Sequence, residues 1–122
     1  MALTTEQIDE LGGADELHIS TYRPDGTLRN AIPIWGVRVG DDVYIRAALG
    51  PAAVWYRHAL ADRLHIEAGG AAVDVTLRPT IDAATNAAVD AAYRSKYAGN
   101  GSALDTMVTP PAAGTTVRLL AV

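Results

Sequence analysis

Arg46 and Arg57 lie within the one stretch of this chain whose residue types and spacing suit ligand chemistry, Asp42 to Arg57, which reads DVYIRAALGPAAVWYR. An alternating strand runs into a Gly-Pro break, and a helix follows that opens with two aromatics and an arginine. A helix N-terminus offers unpaired N–H groups and the positive end of a dipole, and an arginine fork adds bidentate reach, so the combination suits a phosphate. Arg46, the backbone of Ala48, Leu49 and Gly50, and Arg57 form that candidate anion site. Trp55 and Tyr56 add flat apolar surface for a ring system. The same residues fit a structural reading, in which both arginines pair with surface carboxylates and Trp55 fills the core.

Other chemistry is thinly represented. His18, His58 and His65 show no pair at ligand spacing and no HExxH, so no metal site is expected. Ser20, Ser95 and Ser102 lack a G-x-S-x-G elbow, which argues against a hydrolase triad. Asp41-Asp42 reads as a turn signal, and Asp74 is placed to answer Arg63 or Arg78 across a hairpin. Without cysteine there is no thiolate nucleophile, disulfide or Cys-ligated metal. The net charge of −4 carries no basic block, so nucleic acid and anionic membranes are not expected partners.

The elements that must position Arg46 and Arg57 follow from periodicity. Thr4 caps a short helix with Gln7 at the capping-box position and Leu3 stapling onto Ile8, and Gly12-Gly13 stops it. Glu16 to Tyr22 alternates as a strand before the turn at Pro24-Asp25-Gly26. Thr27 to Val39 is too long for a regular strand and holds Pro33 and Gly36, so one bent strand is expected. Val43 to Ala48 places Val43, Ile45 and Ala47 on one face and Tyr44, Arg46 and Ala48 on the other. After the helix opened by Pro51, Arg63 to Ala68 and Ala71 to Arg78 form a hairpin about Gly69-Gly70. Asp82 caps a helix to about Tyr97, with Tyr93 and Tyr97 as a packing stripe and Asp90–Arg94 as an outer pair. Gly-Asn-Gly-Ser and Pro110-Pro111 mark a loop before a last strand from Thr115.

The expected fold is α+β: a small six-stranded antiparallel split β-barrel with flanking helices. A single domain is expected over 1–122, with 1–13 as N-terminal helix and 14–122 as barrel and helices. The N-terminus has neither a signal-peptide pattern nor an apolar anchor, so a cytoplasmic location is expected.

The segments IPIWGVRVGDDVYIRAALGP, VWYRHAL, RLHIEAGGAAVDV, AAYRSKY and TTVRLLAV together resemble the uncharacterised group DUF2255. That group lies within the FMN-binding split-barrel proteins related to pyridoxamine 5′-phosphate oxidase and the deazaflavin (F420)-dependent nitroreductases. The resemblance spans the chain from Glu16 onward. It implies a homodimeric split barrel with the ring of FMN or F420 in a cleft between subunits. By that resemblance Ile32, Pro33, Ile34 and Trp35 line the ring, Arg46 to Gly50 approach the phosphate, and Trp55, Tyr56 and Arg57 complete the pocket. The implied activity is oxidoreduction of a small molecule, with the cofactor bringing the hydride chemistry. The chain departs from many flavin split barrels in carrying Ala47-Ala48-Leu49 where they place a hydroxyl residue and a lysine or second arginine. A non-catalytic dimeric module for small ligands, or a purely structural one, with no cofactor, is the alternative.

Overall fold

The structure is a computed structural model that describes residues 1–122. Its first helix, α1 (Thr5–Gly13), starts at the expected capping box: the Gln7 N–H donates to Thr4 Oγ1 at 3.1 Å and the Thr4 N–H to Gln7 Oε1 at 2.8 Å. Two otherwise orphaned donors are thereby satisfied. Leu3, Ile8 and Leu11 are buried in the main core.

Seven strands follow: β1 (Leu17–Thr21), β2 (Ile32–Ile34), β3 (Gly36–Val39), β4 (Asp42–Ile45), β5 (Leu64–Ala68), β6 (Ala71–Pro79) and β7 (Val117–Ala121). They form one antiparallel sheet in the order β2-β1-β5-β6-β7-β4-β3. The two edge strands of that order, β2 and β3, are consecutive in the chain and separated by Trp35 alone. The sheet therefore curls into a nearly closed barrel, joined across its split by covalent chain instead of a hydrogen-bonded ladder.

The expected single bent strand over Thr27 to Val39 is thus two strands, which makes seven and not six. Pro33 explains one side of the break: it has no N–H to donate, and it lies in β2, whose only pairing is with β1. Gly36 explains the other. A Cβ there would stand 2.6 Å from Leu17 Cδ1, so only glycine lets β3 start against β1.

Four helices surround the barrel: α1, α2 (Val54–Ala61), α3 (Ala83–Lys96) and α4 (Gly101–Met107). The second begins later than Pro51 marks, because Gly50–Ala52 forms a separate 3₁₀ turn. The last occupies part of the stretch expected to be loop. Its seven residues pack Met107 beside Tyr93 and Tyr97, so packing supplies what its Gly-rich start lacks in propensity.

Strand phase decides what each face meets. Val43, Ile45 and Ala47 point into the main core with Leu17, Ile19, Leu64, Ile66, Val75, Val117 and Leu119. The opposite face of β4 carries Tyr44 and, just beyond, Arg46. Over this face α3 and its C-cap lay Tyr93 and Tyr97, the expected stripe, together with Val89, in a second core with Val37 and Met107.

Candidate functional site

Because α3 and α4 cover the outer face of β4, Arg46 is buried, at 1% exposure. Its Nε donates to Thr116 Oγ1 at 2.8 Å, Nη1 to Asp90 Oδ1 at 2.5 Å and to the Met107 carbonyl at 2.9 Å, and Nη2 to the Asn86 carbonyl at 3.2 Å. The guanidinium also lies 5.4 Å from the Tyr93 ring centre. A buried cation needs a counter-charge and full hydrogen bonding, and this one has both. Asp90 thus pairs with Arg46, not with Arg94 along its own helix.

Beside Arg46 opens a cleft of about 790 Å³. One wall is β2, Ile32 to Ile34, continuing through Trp35. The opposite wall is Ala48-Leu49 and the start of α2, with Ala53, Val54, Trp55 and His58. Ala103, Thr106 and Met107 of α4 close one side, and Thr21, Arg29 and Asn30 stand where β1 leads into β2. No carboxylate lines it. The N-cap of α2, Ala53, has no side-chain acceptor, so no side chain caps the first N–H groups of this helix.

Trp35 is held flat. It stacks on Tyr97 with ring centres 4.1 Å apart and planes 5° from parallel. Tyr97 is itself fixed by its hydroxyl, which accepts from the Gly36 N–H at 3.2 Å and lies 2.8 Å from the Asp15 carbonyl. Burial pushes the Tyr97 hydroxyl up to about 12, so it stays protonated and keeps its donor. Tyr93, which donates to the Trp35 carbonyl at 3.4 Å, is raised further by its complete burial.

Of the residues singled out in the sequence, Ile32, Pro33, Ile34, Trp35, Arg46, Ala48 and Trp55 line this cleft. Ala47, Gly50, Tyr56 and Arg57 do not. Ala47 faces the core and its N–H is taken by Thr115 Oγ1 at 2.8 Å. Gly50, at φ +74°, packs against Pro111, and its N–H bonds the Ala47 carbonyl at 2.9 Å. Tyr56 turns into the core, edge-on to Trp55 with centres 5.8 Å apart. Arg57 is exposed on the far side of α2.

Arg29 and His58 were not singled out as binding residues, yet both line the cleft. His58 follows Trp55 by one helical turn, a spacing the sequence displays. Arg29 gave a weaker signal, a charge leading into Ile-Pro-Ile, and only the pairing of β2 with β1 carries it to the cleft. Its Nη1 donates to the Tyr22 carbonyl at 2.7 Å and to Thr21 Oγ1 at 3.3 Å.

A second polar cluster lies on the barrel exterior. Asp74 accepts from the Tyr22 hydroxyl at 2.8 Å, from His65 Nδ1 at 2.9 Å, and pairs with Arg63 at 3.3 Å. His65 Nε2 lies 3.0 Å from Glu67, and Arg63 stacks over the Tyr22 ring at 4.2 Å. No grouping of three or more His, Asp or Glu is placed to hold a metal ion.

A nearly closed antiparallel barrel, helices outside it and an aromatic-walled cleft at the split define a protein of the split-barrel class. Residues 7–119 match the family described as uncharacterized protein conserved in bacteria (DUF2255), and the chain belongs to that family. Comparison with curated proteins finds no match. Among solved structures, the conserved hypothetical protein Rv2991 from Mycobacterium tuberculosis is similar, with TM-score 0.68 and 14% identity over 99% of this chain and 81% of that one. The FAD binding protein from Mycobacterium smegmatis gives TM-score 0.60 and 18% identity over 98% and 91%. The FAD and heme binding protein from the same organism gives 0.61 and 19% over 97% and 66%. At these identities the likeness is one of fold.

Proposed function

We propose that the protein is a flavin- or deazaflavin-binding oxidoreductase acting on a small molecule, with FMN or F420 in the cleft beside Trp35. The observation that carries this reading is the flat wall of Trp35, backed by Tyr97 at 4.1 Å and continued by Ile32 to Ile34, in a cleft of about 790 Å³ free of carboxylates. That volume lies within the ordinary range for cofactor pockets, and the lining suits a tricyclic ring with an anionic tail. The FAD-binding proteins of the same fold support it by analogy.

When bound, such a cofactor supplies the hydride transfer. The chain's own residues do the rest. Trp35, Trp55 and Ile32 to Ile34 would hold the ring and exclude water from it, and the uncapped start of α2 would offer N–H groups to an anion. Arg46 braces the floor, since its charge is already met by Asp90. His58, exposed at the cleft, is the one imidazole among its lining side chains and offers a ring nitrogen for hydrogen bonding. In this reading the protein works as a homodimer in the cytoplasm; no helix is long and apolar enough to cross a membrane.

The neutralised Arg46 also favours a second reading, a non-catalytic small-ligand module. Titration of the apo protein with FMN and separately with F420, following cofactor fluorescence and thermal midpoint together, separates the two. Binding with a raised midpoint supports the cofactor reading, because a ligand at a hundred times its Kd stabilises the fold by about 2.7 kcal/mol. No binding of either at tens of micromolar removes it.

A further inference from the structure

We infer that Arg29 is the anion anchor of the cleft, so that the protein selects a ligand with an apolar body and an anionic group lying where β1 leads into β2. This deepens the reading of the cleft as a ligand site and rests on it. Two arginines line the cleft, and they differ in kind. Arg46 is spent on Asp90 and two carbonyls, with no side-chain exposure. Arg29 is half-buried, has no carboxylate within ion-pairing distance, and makes its side-chain hydrogen bonds through Nη1 alone. Those two bonds hold the guanidinium in place while Nε and Nη2 remain free to donate.

A tethered, uncompensated cation beside apolar walls attracts an anion more strongly than an exposed arginine does, because the surroundings screen it less. Pre-fixing the fork removes part of the ordering cost of binding. A phosphate, carboxylate or sulfonate shares the chemistry required. The anion belongs either to the cofactor or to a substrate.

The test compares anilinonaphthalene sulfonate with the neutral N-phenyl-1-naphthylamine, by fluorescence titration of the wild type and of Arg29→Gln, Asn30→Asp and Arg57→Gln. Asn30→Asp places a carboxylate beside Arg29 at an exposed loop position and serves if Arg29→Gln fails to fold. The wild type should prefer the sulfonate by about tenfold to a hundredfold, the size of one charge-assisted hydrogen bond. Arg29→Gln and Asn30→Asp should remove most of that preference, and Arg57→Gln should keep it. An unchanged preference in Arg29→Gln, or none in the wild type, overturns the inference.

Riboflavin and FMN, used to displace the dye, identify the source of the anion. An FMN advantage that Arg29→Gln abolishes assigns it to the cofactor's phosphate. Failure of both flavins and of F420 to displace the dye, with the Arg29-dependent preference intact, removes the cofactor reading and leaves Arg29 anchoring an anionic substrate. An FMN advantage that persists in Arg29→Gln overturns Arg29 and leaves the flavin reading standing.

Discussion

Arg46 and Asp90 meet at 2.5 Å between β4 and α3, the arginine side chain without exposure and the carboxylate 27% exposed. The pair, with the Met107 and Asn86 carbonyls, ties the barrel to two helices at the floor of the cleft. Coulomb attraction inside the protein is offset by desolvation, so the pair adds little net stability against apolar replacements. Its removal from one side is another matter.

Asp90→Ala leaves the Arg46 charge buried without a counter-ion. Breaking such a pair costs about 3–5 kcal/mol, and we expect a loss near the lower end because Asp90 retains some solvent. Asp90→Asn keeps an acceptor and should lose less. Urea unfolding of both variants checks the order, and a loss below about 1 kcal/mol for Asp90→Ala would show that water screens the pair.

The phase of β4 was legible in its sequence, because alternation fixes which side chains share a face. What lies over that face was not. Nothing local to Arg46 tells whether solvent, a ligand or α3 meets it, and the answer depends on where a helix more than thirty residues on comes to rest. The same limit hid Arg29, which only strand pairing brings to the cleft, and merged β2 with β3, whose separation depends on the approach of Leu17 to Gly36. Features set by adjacent residues, such as the Thr4–Gln7 box and the Gly69-Gly70 hairpin, were readable without the fold.

His65 makes stability depend on pH. Burial lowers its affinity for a proton, but hydrogen bonds to Asp74 and Glu67 and the charges of both carboxylates outweigh that and raise its pKa above 6.5. A folded pKa above the unfolded one gives stability that is whole below about pH 6.5 and lost as pH rises through the folded value. Unfolding free energies at pH 5.5 and 8.5 should therefore show wild type exceeding His65→Gln by more at the lower pH. A gap that is equal at both, or larger at pH 8.5, would contradict this.

Gly50→Ala meets two penalties together. Its φ of +74° is costly for a residue with a Cβ, and that Cβ would stand 2.6 Å from Pro111 Cβ. Strain of this kind costs about 1–3 kcal/mol, and the clash adds to it. Because Gly50 links the Ala48-Leu49 wall of the cleft to α2, the variant should lose thermal stability and bind FMN or the naphthalene dye less tightly. A thermal midpoint within a degree of wild type would show that Pro111 yields.

Tyr97→Phe removes a hydroxyl without removing the ring. The stack on Trp35 should survive, but the Gly36 N–H loses its acceptor at 3.2 Å and the Asp15 carbonyl its donor at 2.8 Å. An unsatisfied buried polar group costs about 1–3 kcal/mol, so a loss in that range is expected in urea unfolding. Gly36 follows Trp35 directly, and the loosened peptide should let the indole tilt. Ring-binding affinity should fall with stability in Tyr97→Phe, whereas Trp35→Ala, which deletes the flat wall itself, should lower affinity much further. Equal ligand affinity in wild type and Trp35→Ala would mean that the ring does not lie on this wall, and would remove the observation on which the cofactor reading stands.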